Sequence, residues 1–130
     1  MPAAEEARAA TIVGYHPVAV PCLLRIDVPA ERREVLERST FYVGEEALRR
    51  SAPEHLLHLL LVPAQVRVVL SRHCVDGPFT LLGDVVHLET LVADVYLERP
   101  NHVATYRAAA DHLAVVAWDG HRTRELLATT

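Results

Sequence analysis

The segment PFTLLGDVVHLE, residues 78–89, constrains the fold more than any other part of the sequence. Two apolar, strand-forming runs flank Gly83 and Asp84, and two turn residues between such runs predict a tight β-hairpin. With this turn Thr80 lies opposite His87, and successive side chains alternate between the two faces of the sheet. The apolar face then carries Phe79, Leu81, Val86 and Leu88, and the mixed face carries Thr80, Leu82, Val85, His87 and Glu89.

The strand-like run DVYLE, residues 94–98, extends the mixed face if it pairs beside the hairpin. Val95 and Leu97 then face the core, and His87, Glu89, Tyr96 and Glu98 share the opposite face with Asp94. A histidine near carboxylates suits acid–base chemistry. We therefore consider His87 as acid or base, Glu89 or Glu98 as the group that orients it, and Tyr96 as a donor. Because one-sided antiparallel sheets usually turn a polar face to water, solvation or a subunit interface are the alternatives.

The remaining pattern predicts a chain that alternates between helices and strands. Strands are predicted at 40–44 and 65–71, helices at 29–39 and 52–61, a helical turn at 45–50, a long helix at 100–118 and a short one at 121–128. Pro17 and Pro21 interrupt the apolar segment 11–28, and proline removes a ladder donor, so we expect no regular central strand there. The order predicts an α+β fold, a small, mostly antiparallel sheet with helices packed on one face.

Length and composition indicate one compact domain over residues 11–130 after a flexible start over 1–10. The 130 residues are 51% hydrophobic, with interleaved charges that sum to −4 at pH 7. Without a basic stripe we expect no nucleic-acid binding by this domain itself. All thirteen basic residues are arginine, which excludes a lysine Schiff base or P-loop. No membrane-spanning run or secretory signal is visible, so we expect a cytoplasmic protein.

The cysteines and the helical histidines predict neither a metal site nor a cofactor. Cys22 and Cys74 form no C-x-x-C motif. His55 and His58 have ligand-like spacing on a predicted helix, but the sequence places no third ligand beside them, and zinc needs three or four. We therefore expect no bound metal and no cofactor.

An ordered series of short motifs resembles one known family. YVGEEALRR, VRVVL, DGPFTLL and VATYRAAADHL occur in this order in the C-terminal domain of actinobacterial Xre-type helix-turn-helix, antitoxin-like transcriptional regulators. The resemblance covers about residues 12–127. It implies a domain that senses a signal or binds a small partner protein. In that family a DNA-binding head precedes the domain, and we expect a stand-alone version here. Cys22 replaces a glycine of the family's proline-containing first segment.

Two functions from different classes are compatible with these observations. The first is a stand-alone domain that binds a small molecule or a partner protein, with a ligand contacting the sheet face and the segments beside it, at His16, Cys22, His73, Thr80 and Asp94. The alternative is a small cofactor-free enzyme of actinobacterial specialised metabolism, a cyclase, isomerase or dehydratase that works by acid–base catalysis at His87. A homodimer is a further hypothesis.

Overall fold

A six-stranded mixed sheet organises the fold. The computed structural model of the chain describes residues 11–17, 37–51, 64–73, 77–89 and 92–128. Its strands are β1 (Ile12–His16), β2 (Thr40–Gly44), β3 (Gln65–Val69), β4 (Phe79–Leu82), β5 (Val85–Glu89) and β6 (Asp94–Leu97). Its helices are α1 (Glu45–Arg50), α2 (Pro100–Val116) and α3 (Gly120–Ala128), with a 3-10 turn at Ser71–His73. The predicted α+β fold is confirmed.

The strand order is β3-β2-β1-β4-β5-β6, and the sheet divides into two halves at β1. β1, β2 and β3 run parallel to one another. β1, β4, β5 and β6 pair antiparallel, so the antiparallel pairs are the majority, as predicted. The parallel half arises because residues 17–39 and 45–64 are long enough to form the crossovers that parallel neighbours require.

β1 lies in the middle of the sheet, so the prediction that no regular central strand forms there was wrong. β1 pairs with β2 on one side and with β4 on the other. It ends at His16, one residue before Pro17, so no proline takes a donor position in the ladder. Proline also drives the preceding residue towards extended backbone, which favours a strand that ends at His16. Ile12 and Tyr15 are completely buried.

The main core lies between the antiparallel half of the sheet and α2. Tyr15, Phe79, Leu81 and Val86 of the sheet cluster with Val103, Ala110 and Leu113 of α2. The Phe79 ring lies 5.1 Å from the Tyr106 ring in an edge-on arrangement and 5.6 Å from the Tyr15 ring. Tyr106 and Ala117, both partly buried, also pack against this cluster.

The opposite face of the sheet is also buried, most completely in its parallel half. Ile12, Phe41, Val43 and Val68 on this face are almost inaccessible to solvent. Strands buried on both faces read as continuous apolar runs, and FYV in β2 and VV in β3 fit this rule. On the same face in β4 and β5, Thr80 and His87 are also buried, whereas Glu89 at the end of β5 is exposed.

The connection between α2 and α3 covers the outer edge of β3. Trp118 N–H donates to the Val68 carbonyl at 2.9 Å, and Val68 N–H donates to Thr123 Oγ1 at 3.1 Å. Arg67 donates from Nε to the Trp118 carbonyl and from Nη2 to the carbonyls of Ala114 and Ala117, at 2.8, 3.0 and 3.0 Å. One side chain thus satisfies carbonyl groups that the end of a helix leaves without intrahelical partners.

Several predicted elements lie outside the described residues. They are the flexible start over 1–10, the helix over 52–61 and most of the helix over 29–39. The long helix predicted at 100–118 corresponds to α2, and the last one to α3. Among the helices that the structure describes, none has the length and apolar character to cross a membrane.

Replacing Arg67 with alanine is expected to lower the free energy of unfolding by about 2 kcal/mol, because three carbonyls lose a charged donor at once. Urea denaturation measures this loss. Arg49→Ala is the matched control: its i,i+4 partner is Glu45 and its side chain is 68% exposed, so its cost is below about 0.5 kcal/mol. Equal losses in the two variants would contradict the capping role of Arg67.

Candidate functional site

Strand register gathers polar side chains on one face of the antiparallel half. Gly14, Thr80, His87 and Tyr96 lie side by side across β1, β4, β5 and β6. The pairing of Thr80 with His87 and the position of the last strand beside the hairpin confirm the register that the Gly83–Asp84 turn predicts. Two residues further along the strands, the same face carries His16, Glu89 and Asp94.

A cavity of about 300 Å³ opens on this face. The described residues that line it are His16, Pro78, Phe79, Thr80, His87 and Glu89. This volume is at the lower end of the range for sites that enclose small organic molecules. The cavity therefore has the size and the mixed lining of a small-ligand site.

His87 is the most constrained polar group of the site. Its side chain is 3% exposed, and its Nε2 lies 2.9 Å from Asp94 Oδ1. The Tyr96 ring lies beside it, with centroids 4.9 Å apart and planes inclined by 31°. When the ring is neutral, Nε2 carries the hydrogen that it donates to Asp94, and Nδ1 is left as an acceptor. Asp94 thus selects both the orientation and the tautomer of His87.

Thr80 and His16 bring further hydrogen-bonding groups to the cavity. Thr80 is only 6% exposed, and neither side chain hydrogen-bonds to another residue in the described part of the chain. The His16 ring stacks on Phe41 with centroids 6.3 Å apart. Burial lowers the pKa of His16 from 6.5 to about 4, so this imidazole is neutral at neutral pH and offers one donor and one acceptor.

Gly14 makes room for the His16 ring and its stacking partner. A Cβ at this position would lie 2.7 Å from Phe41 Cδ1 and 2.9 Å from His16 Nε2. Any larger residue would displace one of these rings. Glycine inside a strand often marks such a close approach, and this was the available signal for a position that sequence reasoning missed. Pro78, which also lines the cavity, was missed as well.

The structure brings together most of the residues that the sequence singled out. His16, Thr80, His87 and Glu89 line the cavity, and Asp94 and Tyr96 contact His87. One alternative for this face was exposure to bulk solvent, but Thr80 and His87 are buried. Glu89 and Asp94, at the rim of the cavity, are exposed.

Two predicted residues do not join this group, and a third lies outside the described residues. Glu98 follows the end of β6 and is exposed; the carboxylate that contacts His87 belongs to Asp94, whereas the prediction chose Glu89 or Glu98. His73 lies in the 3-10 turn, where Arg72 Nε donates to its Nε2 at 3.3 Å, and it is not in the described lining of the cavity. Cys22 lies outside the described residues.

The fold and site define an α+β domain with a small polar cavity on one face of a mixed sheet. Residues 26–129 match the family described as "Domain of unknown function (DUF5753)". The chain belongs to this family, since the match covers most of its length. No curated protein matches the chain. The matched region begins after β1, so Gly14 and His16 precede it, whereas Thr80, His87, Glu89 and Asp94 lie within it.

The low pKa of His16 makes the stability of the domain fall in mild acid. Between pH 6.5 and about 4 the unfolded histidine binds a proton that the folded one does not, so the free energy of unfolding decreases as the pH drops through this interval. The pKa shift of His16 contributes at most about 3 kcal/mol to the free energy of unfolding. Urea denaturation should therefore show a smaller acid-induced loss in His16→Gln than in the wild type.

The exposed His112 on α2 supplies the control for this measurement. His112→Gln is expected to follow the wild-type dependence on pH, because both proteins retain the buried imidazole. If the free energy of unfolding fell equally in wild type and in His16→Gln between pH 6.5 and about 4, the burial of the His16 imidazole would be contradicted.

Proposed function

We propose that this domain binds a small molecule in the cavity beside His87. One observation carries the proposal: Thr80 and His16 present polar atoms to a cavity of about 300 Å³ without a side-chain hydrogen bond to another described residue. Polar atoms that line a cavity and have no protein partner are available to bind a ligand or water. A bound ligand would use these groups, while Asp94 holds His87 in a defined orientation before the ligand arrives.

We further propose that this binding serves regulation, as in the C-terminal domains of Xre-type helix-turn-helix regulators. The ordered motifs from YVGEEALRR to VATYRAAADHL support this relation. The net charge of −4 at pH 7 favours a sensing role over DNA binding by the domain itself, because affinity for DNA depends largely on cationic contacts to phosphate.

A direct connection between the hairpin and α2 supports a route for such a signal. Arg107 Nη2 of α2 donates to Asp84 Oδ1 at 2.6 Å and to the Gly83 carbonyl at 3.0 Å in the turn that joins β4 to β5. Thr80 and His87 belong to these same two strands. A ligand that favours one position of the hairpin would therefore also favour one position of α2, provided that it binds the two positions with different affinity.

A metabolite screen followed by NMR tests the binding proposal. At least one compound is expected to shift the amide signals of Thr80 and His87, with a dissociation constant that rises about fivefold in Thr80→Val, since one neutral hydrogen bond contributes about 1 kcal/mol. Thr105→Val is the matched control, because Thr105 is exposed on α2 and its hydroxyl donates to the Asn101 carbonyl. Compounds that shift signals elsewhere and leave the cavity amides unchanged would contradict the proposal.

A second candidate function is cofactor-free acid–base catalysis, and the contact between His87 and Asp94 favours it. A carboxylate that orients a buried imidazole is the arrangement that general bases use, and Tyr96 lies against the same ring. This alternative retains the cavity as the site and adds turnover of the bound molecule.

Incubation of the domain with each ligand from the screen separates the two functions. If the domain is an enzyme, proton NMR will detect conversion by the wild type and a large loss of conversion in His87→Gln, with binding retained. A ligand that binds and stays chemically unchanged would contradict catalysis and support sensing.

A further inference from the structure

The rim of the cavity carries two carboxylates on neighbouring strands. Glu89 lies directly opposite Asp94 in the pairing of β5 with β6. Like charges at directly opposed positions destabilise an antiparallel pair. Asp94 Oδ1 lies 2.9 Å from His87 Nε2. Glu89, by contrast, forms no ion pair with any residue that the structure describes. Among the described residues, no cation compensates the negative charge of Glu89 at the cavity.

Several arginines of the described segments are engaged away from the cavity. The chain contains no lysine, so arginine is the source of permanent positive charge. Five arginines have contacts away from the cavity: Arg49 and Arg50 with glutamates of α1, Arg67 with carbonyls at and just beyond the end of α2, Arg107 with Asp84, and Arg122 with the Trp118 ring. No arginine belongs to the described lining, and anionic ligands are usually held by such residues.

The other polar groups of the cavity also favour a ligand with donor groups. The carboxylate of Glu89 only accepts hydrogen bonds, His87 in its neutral form has Nδ1 as an acceptor, and the hydroxyl of Thr80 can accept. A metal ion is a poor candidate, since the described residues contain no group of three histidine, cysteine or acidic side chains that could hold one.

We propose that the cavity binds a small organic cation with N–H donors, such as a primary amine or an amidine, which forms an ion pair with Glu89 and hydrogen bonds with Thr80. This proposal rests on the small-molecule binding proposed above and adds the charge and the donor groups of the ligand. The bound cation lies between acceptors and relieves the repulsion between Glu89 and Asp94.

Three probes of nearly equal shape and different charge test this inference: benzylamine, benzyl alcohol and benzoate. Each probe is titrated at neutral pH and constant ionic strength into the isotope-labelled domain. The amide chemical shifts of Thr80, His87 and Glu89 are followed by NMR. Benzylamine is expected to bind most tightly and benzoate most weakly. Glu89→Gln is expected to weaken benzylamine binding about fivefold, as for a partly exposed ion pair, and to leave benzyl alcohol binding unchanged.

Glu125→Gln is the matched control, because this exposed carboxylate of α3 pairs with His121. It should leave all three affinities unchanged. Benzyl alcohol or benzoate binding as tightly as benzylamine would overturn the inferred charge preference and leave small-molecule binding in place. If none of the three probes shifts the cavity amides while the metabolite screen finds a neutral or anionic ligand there, the inference alone fails. If the screen also finds no ligand for the cavity, both proposals fail.

Discussion

The pairing register of β1, β4, β5 and β6 is the constraint on which the rest of the site depends. In a strand, a shift of one residue moves every side chain to the opposite face. The observed register aligns Gly14, Thr80, His87 and Tyr96 in one row and turns Phe79, Leu81 and Val86 towards α2. Burial of the apolar set against the helix thus fixes the position of the polar set.

The domain combines a well-packed core with a polar cavity whose groups are only partly satisfied. The contacts between α2 and the sheet stabilise the fold away from the cavity, as do the three hydrogen bonds from Arg67 to carbonyls at and just beyond the end of α2. Within the cavity, His87 has Asp94 as its partner, whereas burial keeps His16 neutral and opposes its protonation. Thr80 and His16 thus keep hydrogen-bonding capacity that faces the cavity and is available to a ligand.

Local sequence determines some parts of this architecture and leaves others open. The Gly83–Asp84 turn fixes the pairing of β4 with β5 within twelve residues of sequence, which is why the positions of Thr80 and His87 were predictable. Parallel pairing of β1, β2 and β3 depends on distant segments, and no local pattern encodes it. The prediction for β1 failed because it treated Pro17 as an interruption within the strand, whereas the strand ends at His16, before the proline.

The arrangement of the site residues was likewise predictable only in part. Alternation along β5 and β6 placed His87, Glu89, Asp94 and Tyr96 on one face, as the structure has them. Alternation alone does not tell which of several carboxylates on a face reaches the imidazole, because that depends on side-chain direction and on where β6 ends. The structure selects Asp94 and leaves Glu98 beyond the strand.

Cross-strand nuclear Overhauser effects between backbone protons of the wild-type domain measure this register directly. Contacts of Thr80 with Gly14 on one side and with His87 on the other, and of His87 with Tyr96, are expected in a single row. Contacts that pair Thr80 with Val86 or Leu88 would show a register shifted by one residue. His87 would then point towards α2, and the polar cavity would lose one of its lining residues.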